Sequence, residues 1–294
     1  MTHFGLQSGD TIGIAAPASP FDKKLFQQGI SVLQQWGFEI FHQPDIFSED
    51  RYLAGNDQRR SQELQSLFEN KKIKAILFAR GGFGTQRILP LLNRKAIQKN
   101  PKIVIGCSDL TPLLHECWNL KLPAFYGPVV TQLGKNPTPR TLQSLKTILQ
   151  QGQPNESISL QNCQILKPGK ARGRLVGGCL SLISTSLQTP YAIEPNGDIL
   201  FFEDVDEKVY AIDRMLTQLK NSELLKKCAG IIIGSLLPKD GEAHSMEAML
   251  KNCLKDFDGP IVTHFPAGHS NDVETLPLGL QVMLDTEQKQ LSFL

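Results

Sequence analysis

Three side chains in this 294-residue sequence could carry hydrolytic chemistry: Ser108, Glu203 and His269. Ser108 follows the apolar run Ile103-Val104-Ile105-Gly106-Cys107 and precedes Asp109-Leu110-Thr111-Pro112. β-Branched residues suit a buried strand, Asp109 or Thr111 can cap a following helix, and Pro112 fits its first turn. A serine at such a strand-to-helix corner stands above the carboxyl edge of a sheet, with backbone N–H groups turned toward a ligand. The pattern shares Gly106 with the hydrolase elbow G-x-S-x-G but has Leu110 in place of its last glycine. From these ten residues, a nucleophile and a plain N-cap account for Ser108 equally well.

A second loop, Ala79-Arg80-Gly81-Gly82-Phe83-Gly84-Thr85, also follows a strand and precedes a helix, so it is expected on the same sheet edge. It fits neither the Walker sequence nor G-x-G-x-x-G. Gly82 could supply a backbone N–H to an oxyanion, with the N–H of Asp109 as the second donor, and a plain tight turn is the other reading. Glu203 opens the acidic run Glu203-Asp204-Val205-Asp206-Glu207 directly after apolar Phe201-Phe202. Acids before a helix are favoured by its dipole, so most need no catalytic role. Glu203 should be the least solvated of them and the best placed to orient a base. A cation held by Asp204, Asp206 and Glu207 is conceivable but has no fixed-spacing motif. Among six histidines, His269 stands out in the polar loop Pro266-Ala267-Gly268-His269-Ser270-Asn271. His3, His42 and His244 read as surface residues, and His115 falls within a helix. A Ser-Glu-His set works when imidazole takes the hydroxyl proton, the carboxylate fixes its tautomer and amides hold the oxyanion.

The elements that must position these groups alternate in the first half. Strand-like Thr11-Ile14, Ile73-Ala79 and Ile103-Ile105 are followed by helical Lys24-Trp36, Thr85-Leu92 and Leu113-Leu120. That βαβ rhythm predicts a mainly parallel sheet covered by helices, with ligands at its carboxyl ends. The rhythm lapses between about Lys135 and Gly169, around one helix at Thr141-Leu149, which predicts a nucleophile domain over 1–135, a linker over 136–168 and a smaller mixed α/β domain over 169–294. The formal charge of +2 and the short basic clusters disfavour nucleic acid. Six scattered cysteines without a C-x-x-C pair indicate neither zinc nor a redox motif and suit a reducing cytoplasm. No export signal or membrane span is expected.

Taken together, Arg80-Gly81-Gly82-Phe83-Gly84, Gly106-Cys107-Ser108-Asp109, Phe202-Glu203-Asp204, Tyr210-Ala211-Ile212-Asp213-Arg214-Met215-Leu216 and Gly268-His269 occur in an order that resembles the LD-carboxypeptidase family of serine peptidases. The resemblance covers nearly the whole chain, including Gly9–Ser19 and Leu276–Gly279. It implies an α/β protein with a flavodoxin-like N-terminal domain and a C-terminal swivelling β/α domain. It also implies Ser108 as nucleophile, His269 as general base, Glu203 as its partner, and the amides of Gly82 and Asp109 as the oxyanion hole. Members are typically homodimers without cofactor that release the terminal D-alanine of murein tetrapeptides, and no metal is required. Two departures, Cys179 in Gly177-Gly178-Cys179-Leu180 and Tyr126 in Phe125-Tyr126-Gly127-Pro128, fall where residues line or support the substrate cleft.

Three rival readings remain. A microcin C-type immunity peptidase would cut a peptidyl-nucleotide amide, although the acidic segment is closer to the murein branch. A thiol amidohydrolase would use Cys107, although the third position counted from Gly106 is Ser108. A non-catalytic peptide or sugar binder would use Ser108 and His269 as hydrogen-bonding groups.

Overall fold

The computed structural model describes residues 4–237 and 243–294, so His3 and the side chain of His244 lie outside the described residues. The chain divides into two compact units, Met1–Pro154 with Asn271–Pro277, and Asn155–Ser270 with Leu278–Leu294.

The first unit runs β1 (Thr11–Ala15), α1 (Lys23–Gln35), β2 (Glu39–Phe41), α2 (Asp57–Glu69), β3 (Ile73–Phe78), α3 (Thr85–Ile88), α4 (Arg94–Lys99), β4 (Ile103–Gly106), α5 (Thr111–Asn119), β5 (Ala124–Tyr126), α6 (Val130–Leu133) and α7 (Pro139–Gln151). The second holds β6 (Ser157–Ser159), β7 (Gln164–Lys167), β8 (Lys170–Cys179), α8 (Leu180–Ser186), β9 (Asp198–Val205), α9 (Val209–Asn221), β10 (Cys228–Leu237), α10 (Ala243–Cys253) and β11 (Ile261–Thr263). The chain then returns to the first unit for β12 (Leu276–Pro277) and ends in the second with β13 (Gln281–Asp285) and β14 (Gln290–Phe293).

Strands of the first unit order as β12-β5-β4-β3-β1-β2, all parallel except β12, which pairs antiparallel with β5. The parallel strands thus take the flavodoxin-like order 2-1-3-4-5, in which ligands collect beyond the carboxyl ends. Ile76, Leu77, Val104 and Ile105 have no exposed surface. Their apolar runs are continuous rather than alternating because helices cover both faces of a parallel sheet. Helix α1 starts where the Asp22 carboxylate accepts the Leu25 N–H at 2.8 Å. It turns Phe26, Ile30 and Leu33, spaced by helical period, into the core formed with Ile14, Leu77 and Ile105.

In the second unit the order is β6-β14-β13-β8-β9-β10-β11-β7, with β8 to β11 parallel and the other strands antiparallel. Phe202 and Ile233 from the sheet meet Ile183, Ile212, Leu216 and Leu250 from α8, α9 and α10 in one core. Both units are therefore mixed α/β with parallel strands, the first as its βαβ rhythm predicts.

The segment expected to link them over 136–168 is structured. Thr138 caps α7, Pro139 occupies its first position, and Leu145, Ile148 and Leu149 enter the first unit's core. The apolar face of that helix outweighs the polar composition around it. Downstream, β6 and β7 are edge strands of the second sheet, where polar residues are tolerated on the open side. The division falls at 154/155, and 271–277 belongs with the first unit rather than with 169–294. Among the described residues no helix is long and apolar enough to cross a membrane.

Candidate active site

Strand β4 ends at Gly106, and after Cys107 a single 3-10 turn, Ser108–Leu110, leads into α5. Ser108 has φ +60°, a left-handed backbone that costs a non-glycine residue about 1–2 kcal/mol. The strain is held in place from both sides. The Ser108 N–H donates to the Tyr126 phenol oxygen at 2.9 Å, and the Thr111 hydroxyl donates to the Ser108 carbonyl at 2.7 Å. No side-chain cap bond serves the turn or α5, so Ser108 is not an N-cap, and neither Asp109 nor Thr111 caps the helix as expected. Asp109, 1% exposed, instead accepts the Thr85 N–H at 2.8 Å. Burial holds its carboxyl above the usual range, partly offset by that bond.

Strand β3 leads into the glycine loop before α3, and this loop packs on Ser108. A Cβ on Gly81 would sit 2.9 Å from the Ser108 Cβ and 3.5 Å from the Asp109 nitrogen, so only glycine permits the approach. Ser19 fixes the loop from outside: its N–H reaches the Gly81 carbonyl at 3.3 Å, and its Oγ accepts the Phe83 N–H at 3.1 Å. Arg60 fixes it from beneath. This wholly buried guanidinium donates to the carbonyls of Gly84 at 2.8 Å and Gly55 at 3.1 Å, and also to that of Pro17. The N–H groups of Gly82 and Asp109 have no acceptor among the described residues.

In the second unit, β9 carries Glu203 and the loop after β11 carries His269. His269 Nδ1 donates to Glu203 Oε2 at 2.7 Å, with the carboxylate fully buried and the imidazole 18% exposed. The loop is pinned to β10, since Phe265 N–H reaches Ile233 C=O at 3.1 Å and Ser235 Oγ accepts the His269 N–H at 3.2 Å. Gly268 has φ +117°, and a Cβ there would stand 2.4 Å from Glu203 Oε2. Burial alone would lower the imidazole pKa. The hydrogen bond and charge of Glu203, with Asp204 and Asp206 behind it, more than offset this, so His269 is held above its ordinary value. Nδ1 is engaged, which leaves Nε2 as the nitrogen for proton transfer.

The structure thus brings Glu203 and His269 together in one unit, and Ser108, Gly82 and Asp109 together in the other. Glu203 is the least exposed of its acidic run, as expected. Asp204, weighed for a cation with Asp206 and Glu207, has its oxygens on the Ser181 and Val205 N–H groups at 2.8 and 2.9 Å and so closes the start of α8. His115 is packed, 3% exposed, while His42 is half-buried rather than on the surface. Cys107 has ordinary extended backbone and is 3% exposed, so the left-handed corner belongs to Ser108. Tyr126 and Cys179 are both buried; the first grips Ser108 and the second stands opposite Glu203 in register. Sequence reasoning missed Ser19, Arg60 and Ser235. For Arg60 a signal existed, because the apolar stripe of α2 through Phe68, Leu67 and Leu64 runs back onto it.

Residues 12–127 match the model of the LD-carboxypeptidase N-terminal domain, and residues 172–284 that of the LD-carboxypeptidase C-terminal domain. The probable murein peptide carboxypeptidase of Bacillus subtilis is 36% identical, covering 97% of this chain and 91% of that protein. The microcin C7 self-immunity protein MccF of Escherichia coli is 31% identical across 98% of this chain and 94% of its own length. A structure of MccF in complex with glutamyl sulfamoyl guanosine superposes with a TM-score of 0.89, covering 98% of this chain and 97% of that one at 30% identity. The crystal structure of muramoyltetrapeptide carboxypeptidase from Oxalobacter formigenes gives 0.84, covering 96% of this chain and 98% of that one at 27% identity. With both halves matched and the likeness running through nearly all of its length, the chain belongs to the LD-carboxypeptidase family and is a serine-type carboxypeptidase.

Proposed function

We propose that the protein releases the terminal D-alanine of murein tetrapeptides by cutting the amide between an L-centre and a D-residue. In this reading Ser108 Oγ attacks the scissile carbonyl while His269 Nε2 takes its proton. Glu203 holds the imidazole tautomer and stabilises the imidazolium, and the N–H groups of Gly82 and Asp109 receive the oxyanion. His269 then protonates the departing amine, and water repeats the sequence on the acyl-enzyme. The proposal extends to a homodimer, supported by the family resemblance, and to a cytoplasmic location, supported by the scattered cysteines. Light scattering at twice the 32.6 kDa chain mass tests the dimer.

The observation that carries the triad is the bond from His269 Nδ1 to a carboxylate with no exposure, because a wholly buried acid hydrogen-bonded to an imidazole orients a base. The substrate rests on the relatives named for murein peptide and muramoyltetrapeptide. Purified protein given tri-, tetra- and pentapeptides should release D-alanine from the tetrapeptide and lose that activity on Ser108→Ala. No release from any of the three would overturn the substrate.

A second reading, cleavage of a peptidyl-nucleotide amide, is favoured by the TM-score of 0.89 to MccF holding glutamyl sulfamoyl guanosine. The same assay run with that nucleoside separates the two, since turnover of it with none of the tetrapeptide selects the immunity branch.

A further inference from the structure

We infer that Tyr126 is a positioning residue for Ser108, using its phenol oxygen to hold the serine's backbone N–H and thereby fix the left-handed corner from which Oγ projects. The inference rests on Ser108 being the nucleophile. Tyr126 lies at the end of β5, in register with Gly106 on β4, and is 1% exposed. From there its ring reaches past Cys107 to receive the Ser108 N–H at 2.9 Å. On the other side of the same residue, the Thr111 hydroxyl and the Thr111 N–H both meet the Ser108 carbonyl. Each backbone polar group of Ser108 is therefore engaged, and its φ of +60° is set by side chains from two different elements.

The arrangement has a chemical consequence. Many acyl-transfer sites recruit the nucleophile's own amide to the oxyanion. Here that amide points at a phenol, so the donors left to the oxyanion are Gly82 and Asp109. Removing the phenol oxygen frees the Ser108 N–H and loosens the turn, which misplaces Oγ relative to both donors. Misplacement of about 1 Å can cost about 10²-fold in rate while substrate contacts made elsewhere are kept.

The experiment has two arms. In the first, mass spectrometry locates a fluorophosphonate label on the wild-type protein; absence from Ser108 would sink the nucleophile reading itself, independently of Tyr126. In the second, Tyr126→Phe keeps the ring and removes the oxygen. The expected result is a fall in kcat of about 10- to 100-fold with KM moved less than about threefold. The acid limb of the pH profile stays in place, because Glu203 and His269 are untouched. A kcat equal to wild type overturns the inference, as does a change confined to KM. Should the variant fail to fold, amide exchange in the wild-type protein decides: the Ser108 N–H is expected to be protected well beyond a free loop amide, and an unprotected one overturns the grip.

Discussion

His269 Nδ1 and Glu203 Oε2 stand 2.7 Å apart, and the carboxylate has no solvent exposure at all. A buried acid is costly unless its charge is used, and one oxygen of this one meets the imidazole. Because burial works against the imidazolium and the acidic neighbours work for it, the balance rather than either effect sets the working range of the base.

The pH dependence follows with a definite sign. His269 is held above its ordinary 6.5, and the neutral form is the base, so kcat/KM should climb as pH rises through a value above 6.5. Glu203→Gln removes the charge and should bring that limb down while lowering kcat by about 10²- to 10⁴-fold. Rate profiles of both proteins between mildly acid and mildly alkaline pH check this; coincident limbs would contradict it.

Ser108→Ala should reduce turnover by at least about 10³-fold, whereas Cys107→Ala should keep most of it. Cys107 is buried with its thiol 3.4 Å from Gln132 Oε1, on ordinary extended backbone, and is not the residue at the corner. Steady-state kinetics of the pair distinguishes them, and the reverse outcome would assign a thiol enzyme.

Gly268→Ala places a methyl where Glu203 Oε2 and Ser235 Oγ already lie, 2.4 and 2.6 Å away, on a backbone of φ +117°. The loop must shift and carry His269 with it. A loss in kcat of about 10²-fold is expected, with the unfolding midpoint less affected than activity.

Arg60→Met should destabilise the protein by about 2–4 kcal/mol, read from urea unfolding at constant m. The change strands the carbonyls of Pro17 and Gly55 beneath the glycine loop and leaves that of Gly84 with only the Arg87 N–H, 3.2 Å away. Asp57 keeps a partner in Arg87, 2.7 Å away, so the loss reports the stranded carbonyls. A midpoint equal to wild type would show that the loop does not depend on the guanidinium.

Much of the candidate site was legible because its residues interrupt apolar runs. Ser108 and Gly82 come after the largely apolar strands β4 and β3, and Glu203 breaks the apolar run Ile199–Phe202 within β9; such interruptions mark the carboxyl edge of a parallel sheet. What escaped was long-range polar support. Ser19, Arg60 and Ser235 act through bonds to distant backbone groups, and no local pattern encodes which carbonyl or amide they will meet. The same limit explains the fold errors. Composition made 136–168 read as a linker, while the packing of Leu145, Ile148 and Leu149 depends on a surface supplied elsewhere in the chain.

The late detour of the chain into β12 bears on how this protein can be cut or recombined. Leu276 pairs with Tyr126 at the margin of the first sheet, so a gene fragment ending after α7 would leave β5 bare, with unpaired groups inviting self-association. Such a fragment would also slacken the strand end that carries the grip on Ser108. The two halves are consequently poor cassettes for shuffling, because one completes its sheet with a loan from the far side of the other's sequence.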